Sequence, residues 1–123
     1  MIPASTAPGL WAYLAPVLLL VCSNLFMTLA WYGHLKFKAV PLLTVILVSW
    51  SIAFVEYCFA VPANRLGSAV YSPAELKTLQ EMITLAVFAG FTALYFKEPL
   101  TLTQGAGFAL IALGAMLVFR GQA

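Results

Sequence analysis

Charge is what this sequence has least of. Only 8% of its 123 residues are charged, six Lys or Arg against four Asp or Glu, with a single histidine and a net charge of +2. A soluble domain carries about 25% charged residues. A chain this poor in charge cannot cover a globule with polar surface, so part of its solvent must be lipid. A net charge of +2 with no basic stripe is too small to argue for a nucleic-acid partner, and none is expected. The two cysteines, Cys22 and Cys58, lie inside apolar runs, where small buried thiols are ordinary. They make no disulfide framework, and neither they nor His34 supply metal-ligand spacing, so no metal or other cofactor is expected. No zinc-binding His pair, nucleophile motif or acyl-transfer constellation is present, which argues against an enzyme. Residues 1–9 hold no Lys or Arg, which argues against a cleaved signal peptide.

What the sequence does have is apolar length. It is 63% hydrophobic with a mean hydropathy of +1.00. Four runs of roughly 20 residues each can cross a bilayer: 10–32, 39–60, 73–96 and 100–119. They use nearly the whole chain. The expectation is one all-α integral membrane domain, a bundle of four transmembrane helices with short loops, multi-pass in the inner or plasma membrane.

The third run has the clearest start. Ser72-Pro73-Ala74-Glu75 reads as a helix N-terminus: Ser caps, Pro takes the first helical position, and Glu75 can reach back to the cap. The polar turns that follow lead through Gln80 and Glu81 into Met82–Phe91 without a break. A carboxylate at such a junction is costly in lipid and is expected to face a partner or a water-filled space. Lys77, Glu81, Thr84, Phe88, Thr92 and Tyr95 fall along one stripe.

The first run is bracketed by Trp11 and Tyr13 and by Trp31 and Tyr32, as suits two interfaces. Pro16 kinks it or marks a slow start. Its polar interior is Cys22-Ser23-Asn24 with Thr28 one turn on, read either as interhelical hydrogen bonding or as substrate contact. His34, in the first loop, is expected at headgroup level. The second run starts near Pro41 and is expected to end at Pro62, leaving Asn64-Arg65-Leu66-Gly67 as a loop. Val45, Ser49, Ile52 and Glu56 share one face. With those bounds Glu56 lies roughly 9 Å past the middle of its run, and Glu81 roughly 8 Å before the middle of the 76–96 portion of the next, at 1.5 Å per residue. The two carboxylates then sit at similar depth, where desolvation and mutual repulsion raise proton affinity. The competing reading is an ion pair, with Arg65 or Lys77 neutralising one of them. Candidate proton- or substrate-binding residues are Glu81, Glu56, Gln80, Thr84, Tyr57, Trp50 and Asn24.

In the fourth run Gly107 and Gly114 stand one heptad apart among small residues, a pattern that lets helix backbones approach closely, within the monomer or across a dimer. Tyr95-Phe96-Lys97-Glu98-Pro99-Leu100-Thr101 followed by Gly107–Gly114 resembles the closing hairpin of the drug/metabolite transporter superfamily. More narrowly, Trp50–Tyr57, Val61–Gly67 and Leu76–Glu81 resemble a four-helix family of unknown function within that superfamily. The resemblance implies kinship to small multidrug resistance transporters, which dimerise through a similar Gly–Gly heptad and carry an essential Glu in the first span. Here that region reads Cys22-Ser23-Asn24, so either the coupling carboxylate is Glu56 or Glu81, or there is no proton coupling.

Four spans put Arg65, Lys77 and Arg120 on one side and Lys36, Lys38 and Lys97 on the other. The positive-inside rule is tied. A balanced chain can insert both ways, as an antiparallel homodimer requires. The expected function is small-molecule transport, proton-coupled through Glu81 and Glu56. The alternative is a non-transporting membrane subunit or scaffold, or half of a heterodimeric transporter. The expected partners are the lipid bilayer, a second copy and an unidentified small solute.

Overall fold

The computed structural model describes residues 9–121, so all but one of the residues read for a signal peptide lie outside it. Of the described residues 84% are helical, and none lies in a strand. Four α-helices follow in order: α1 Leu10–Tyr32, α2 Leu42–Gly67, α3 Pro73–Leu94 and α4 Leu102–Gly121, with a 3₁₀ turn at Gly33–Lys36. α1, with that turn, together with α2 and α4 is long and apolar enough to cross a membrane. α3 falls short of that measure. Lys77, Thr78, Gln80 and Glu81 dilute its first turns.

The start of α3 forms as its residues dictate. The Glu75 amide donates to Ser72 Oγ at 3.2 Å, and the Ser72 amide donates to Glu75 Oε1 at 2.9 Å. Pro73 occupies the first turn. These bonds satisfy donors that a helix end otherwise leaves open.

Pro62 does not end the second helix. α2 runs on to Gly67, five residues beyond the expected stop. A proline inside a helix loses one backbone bond and clashes with the preceding turn. Packing outweighs that cost here, because Ala60, Ala63 and Gly67 are all buried. A Cβ on Gly67 would lie 2.6 Å from Leu76 Cδ2 and 3.2 Å from Pro16 Cβ. The last turn of α2 thus seats on the prolyl ring of α1 and on the first turn of α3. Tyr71, in the connection to α3, donates to the Tyr13 carbonyl at 3.1 Å, and the two rings meet edge to face.

α1 is the centre of the bundle. Its most extensive interface is with α2, and its next is with α3; α4 leans chiefly on α3. Most of the buried side chains belong to α1: Pro16, Leu20, Ser23, Asn24, Thr28 and Ala30. Phe26 stacks on Phe59 of α2, and Tyr32 meets Phe88 of α3 edge to face. The short link at 95–101 folds α3 and α4 into the expected hairpin. Lys97 there takes a left-handed backbone, φ 58°, and the Glu98 amide closes on the Thr92 carbonyl at 3.0 Å. No residue of α4 is buried.

Candidate functional site

The polar patch of α1 faces two helices at once. Ser23 and Asn24 are both fully buried, and Thr28 one turn on is 2% exposed. Adjacent positions on a helix point about 100° apart, so neighbours in sequence reach different partners. Ser23 Oγ donates to Glu56 Oε1 of α2 at 2.9 Å. The Asn24 amide nitrogen donates to the Leu20 carbonyl at 2.8 Å, and its amide oxygen accepts from the Thr84 hydroxyl of α3. Thr84 Oγ1 also lies 2.7 Å from the Gln80 carbonyl, so one hydroxyl proton is shared between two acceptors. A polar belt therefore crosses α1 from Glu56 to Thr84. Ser23, absent from the candidate residues drawn from sequence, is the contact that holds Glu56.

The longer α2 changes the depth of that carboxylate. The midpoint of Leu42–Gly67 falls between Phe54 and Val55. Glu56 lies within two residues of it, roughly 2 Å at 1.5 Å per residue, instead of the expected 9 Å. Ser23 lies two residues past the midpoint of α1, roughly 3 Å. The bond therefore joins the centres of two apolar helices. Trp50, Glu56 and Tyr57 come together with Ala53 and Phe54 around one recess of about 280 Å³ on α2. Glu56 is half-buried, while Trp50 and Tyr57 are exposed. On the same helix Val45, Ser49 and Ile52 line a recess shared with Leu29 and Gly33, as their common face implied.

A second and larger recess, about 600 Å³ and open to the outside, lies between α1, α3 and α4. Thr28 and Thr84 supply aliphatic hydroxyls, and Trp31, Tyr32, Phe88 and Phe108 are its aromatic walls. The aromatic lining was not legible beforehand, because it is assembled from three helices.

These helices carry a recognisable family pattern. The model of the family described as “Putative member of DMT superfamily (DUF486)” matches residues 16–119. The chain belongs to this family. No curated protein and no solved structure matches it. Membership, together with three helices apolar enough to cross a bilayer, marks this drug/metabolite transporter relative as a membrane protein.

The remaining expected positions of this DMT chain fall elsewhere. Glu81 is not enclosed within the single chain. Its side chain is 53% exposed and pairs with Lys77 Nζ at 2.9 Å, one turn back. α1 stands between the helices that carry Glu56 and Glu81. On the α3 stripe Thr84 and Phe88 contact α1 and Tyr95 contacts Gly33 of the 3₁₀ turn, whereas Lys77 and Glu81 are exposed. Open space surrounds Gly107 and Gly114: a Cβ on either would meet nothing within 4 Å. His34 is half-buried in the 3₁₀ turn and lines two apolar recesses. Among the described residues no cluster of His, Cys, Asp and Glu could hold a metal.

Proposed function

We propose that the chain is a small-molecule transporter of the cell membrane, with four spans, in which Glu56 is the coupling group. The observation that carries this reading is the Ser23–Glu56 hydrogen bond at the centre of two apolar helices. A carboxylate at mid-bilayer costs about 2.5–3.5 kcal/mol on insertion scales and in spans almost always faces the bundle interior or a wet cavity. Glu56 has one buried donor and one open recess. It can therefore bind a proton or a cationic group of a solute from that recess, and not both together. The region where the multidrug relatives hold their first-span Glu is here occupied by Ser23 and Asn24. The carboxylate delivered to it from α2 supports a relocated coupling site. Trp50 and Tyr57 supply wall contacts beside Glu56, and Asn24, Thr84 and Gln80 form the far end of the same belt.

A homodimer completes this reading. α4 buries no residue in its own chain, and the open space around Gly107 and Gly114 supports helix pairing across two copies. Equal cation counts on the two sides support an antiparallel arrangement.

The test is flux. Purified protein in liposomes with an imposed pH gradient is assayed against a panel of lipophilic cations and small polar metabolites. Glu56→Gln abolishes gradient-driven uptake, and Glu81→Gln retains it. Uptake unchanged by Glu56→Gln removes the assignment.

One observation favours a second reading, a subunit that does not transport by itself. The Lys77–Glu81 pair is exposed on a helix that the transport reading places in lipid. A different membrane protein covering that pair would make this chain half of a heterodimer. Co-purification of one distinct membrane protein in a fixed ratio, with no flux from the chain alone, supports that reading.

A further inference from the structure

We propose that the recess between the end of α1 and the start of α2 binds a single-chain amphiphile with an anionic head, a medium-chain fatty carboxylate. Its walls come from Leu29 of α1, Phe37 and Val40 of the connection, and Val45, Val48 and Ile52 of α2. Tyr95 at the end of α3 adds an aromatic wall, held in place by its hydroxyl donating to the Gly33 carbonyl at 2.9 Å. The volume is about 270 Å³. Small-molecule sites span about 300–1,000 Å³, so a recess just below that range takes one chain and not two.

A cation stands one ring away from this apolar lining. Lys36 Nζ sits 4.1 Å from the centre of the Tyr95 ring. A cation over an aromatic face is attracted by the ring quadrupole, which here holds the ammonium against a ring that also lines the recess. Among the described residues Lys36 has no carboxylate within ion-pair distance. Lys38 and Lys97 flank the same end of the bundle in sequence, against Glu98 alone. An apolar slot with an unpaired cation held on one of its lining rings matches a hydrocarbon chain that ends in an anion. It disfavours a lipophilic cation of equal length, by direct repulsion. The site is separate from Glu56 and stands whether or not the chain transports.

The full chain in phosphatidylcholine nanodiscs, titrated by equilibrium dialysis with labelled laurate, dodecanol or dodecyltrimethylammonium, tests this. Laurate binds at one site per chain, dodecanol binds more weakly, and the cation does not compete. Lys36→Gln weakens laurate about fivefold, the scale of one cation near an anionic head, and leaves dodecanol unchanged. Val48→Trp, which fills the slot, weakens both. A photoreactive laurate on the unmodified chain labels residues within 29–52 and needs no variant to fold. The proposal is overturned if the cation competes as well as laurate, if both variants bind as wild type, or if label lands on α4. Displacement of laurate by diacyl phosphatidylglycerol at equal concentration also overturns it, since the occupant would then be a two-chain lipid.

Discussion

Ser23 and Glu56 meet across the α1–α2 interface, hydroxyl to carboxylate, within two residues of the midpoint of each helix. The hydroxyl is fully buried and the carboxylate half so. The bond serves both helix pairing and the presentation of the acid to the Trp50–Tyr57 recess.

Removing the donor therefore affects both properties. Ser23→Ala is expected to lower bundle stability by about 1–2 kcal/mol, the range for a bond to a charged group tempered by membrane measurements. Thermal unfolding in uncharged detergent measures it. Ser23→Ala and Glu56→Gln together cost less than their sum, because each alone already breaks the shared bond. Strict additivity would mean that the two side chains do not interact.

The belt's other end behaves likewise. Thr84→Val strips the buried Asn24 oxygen of its donor while preserving shape, and costs about 1 kcal/mol. Thr84→Ser keeps the hydroxyl and retains most of the stability. Equal losses in the two variants would point to the methyl group, and not to the hydrogen bond.

Gly67 sets the closest approach of three elements. Gly67→Val drives two methyls toward Leu76 and the rigid Pro16 ring, and is expected to cost about 1–3 kcal/mol. The loss is read by the same thermal scan. Gly107→Val, in open space, serves as the matched control with little effect on the monomer.

Tyr71 gives a pH signature outside the helices. Burial, then the neighbouring Tyr13 and Glu75, push its phenol above the ordinary tyrosine value. An acid whose folded pKa is raised stabilises fully below its unfolded value and loses that contribution as pH rises through the folded one. Stability is thus level up to about pH 10 and declines above it. Tyr71→Phe removes that part of the alkaline decline and the bond to the Tyr13 carbonyl together.

Local chemistry was legible in the sequence, and pairings between helices were not. The Ser72–Glu75 box spans one turn, so residue types alone specify it. The Cys22-Ser23-Asn24 patch was visible as polarity inside an apolar run, but its partners lie 33 and 60 residues away. No periodicity selects Glu56 for Ser23 or Thr84 for Asn24. Pro62 misled because proline is a helix breaker in isolation, whereas Ala63 and Gly67 are packed against other helices. That single misreading moved Glu56 away from the middle of its span. Glu81 shows the converse: a partner four residues back, Lys77, was within reach of sequence reasoning and is the one it takes.

A bundle centred on its first helix imposes a schedule on its own making. Ser23 emerges from the ribosome 33 residues ahead of Glu56, and Asn24 emerges 60 ahead of Thr84. At about 5–20 residues per second, the asparagine waits roughly 3–12 s for the hydroxyl that will satisfy it. During that interval the Asn24 amide oxygen lacks its Thr84 donor, although its amide nitrogen already has the Leu20 carbonyl, and for the first part of it the Ser23 hydroxyl lacks Glu56. The passage of α1 into lipid is then governed by how long the insertion machinery shelters the first segment, and slowed translation between Ser23 and Thr84 lengthens that exposure.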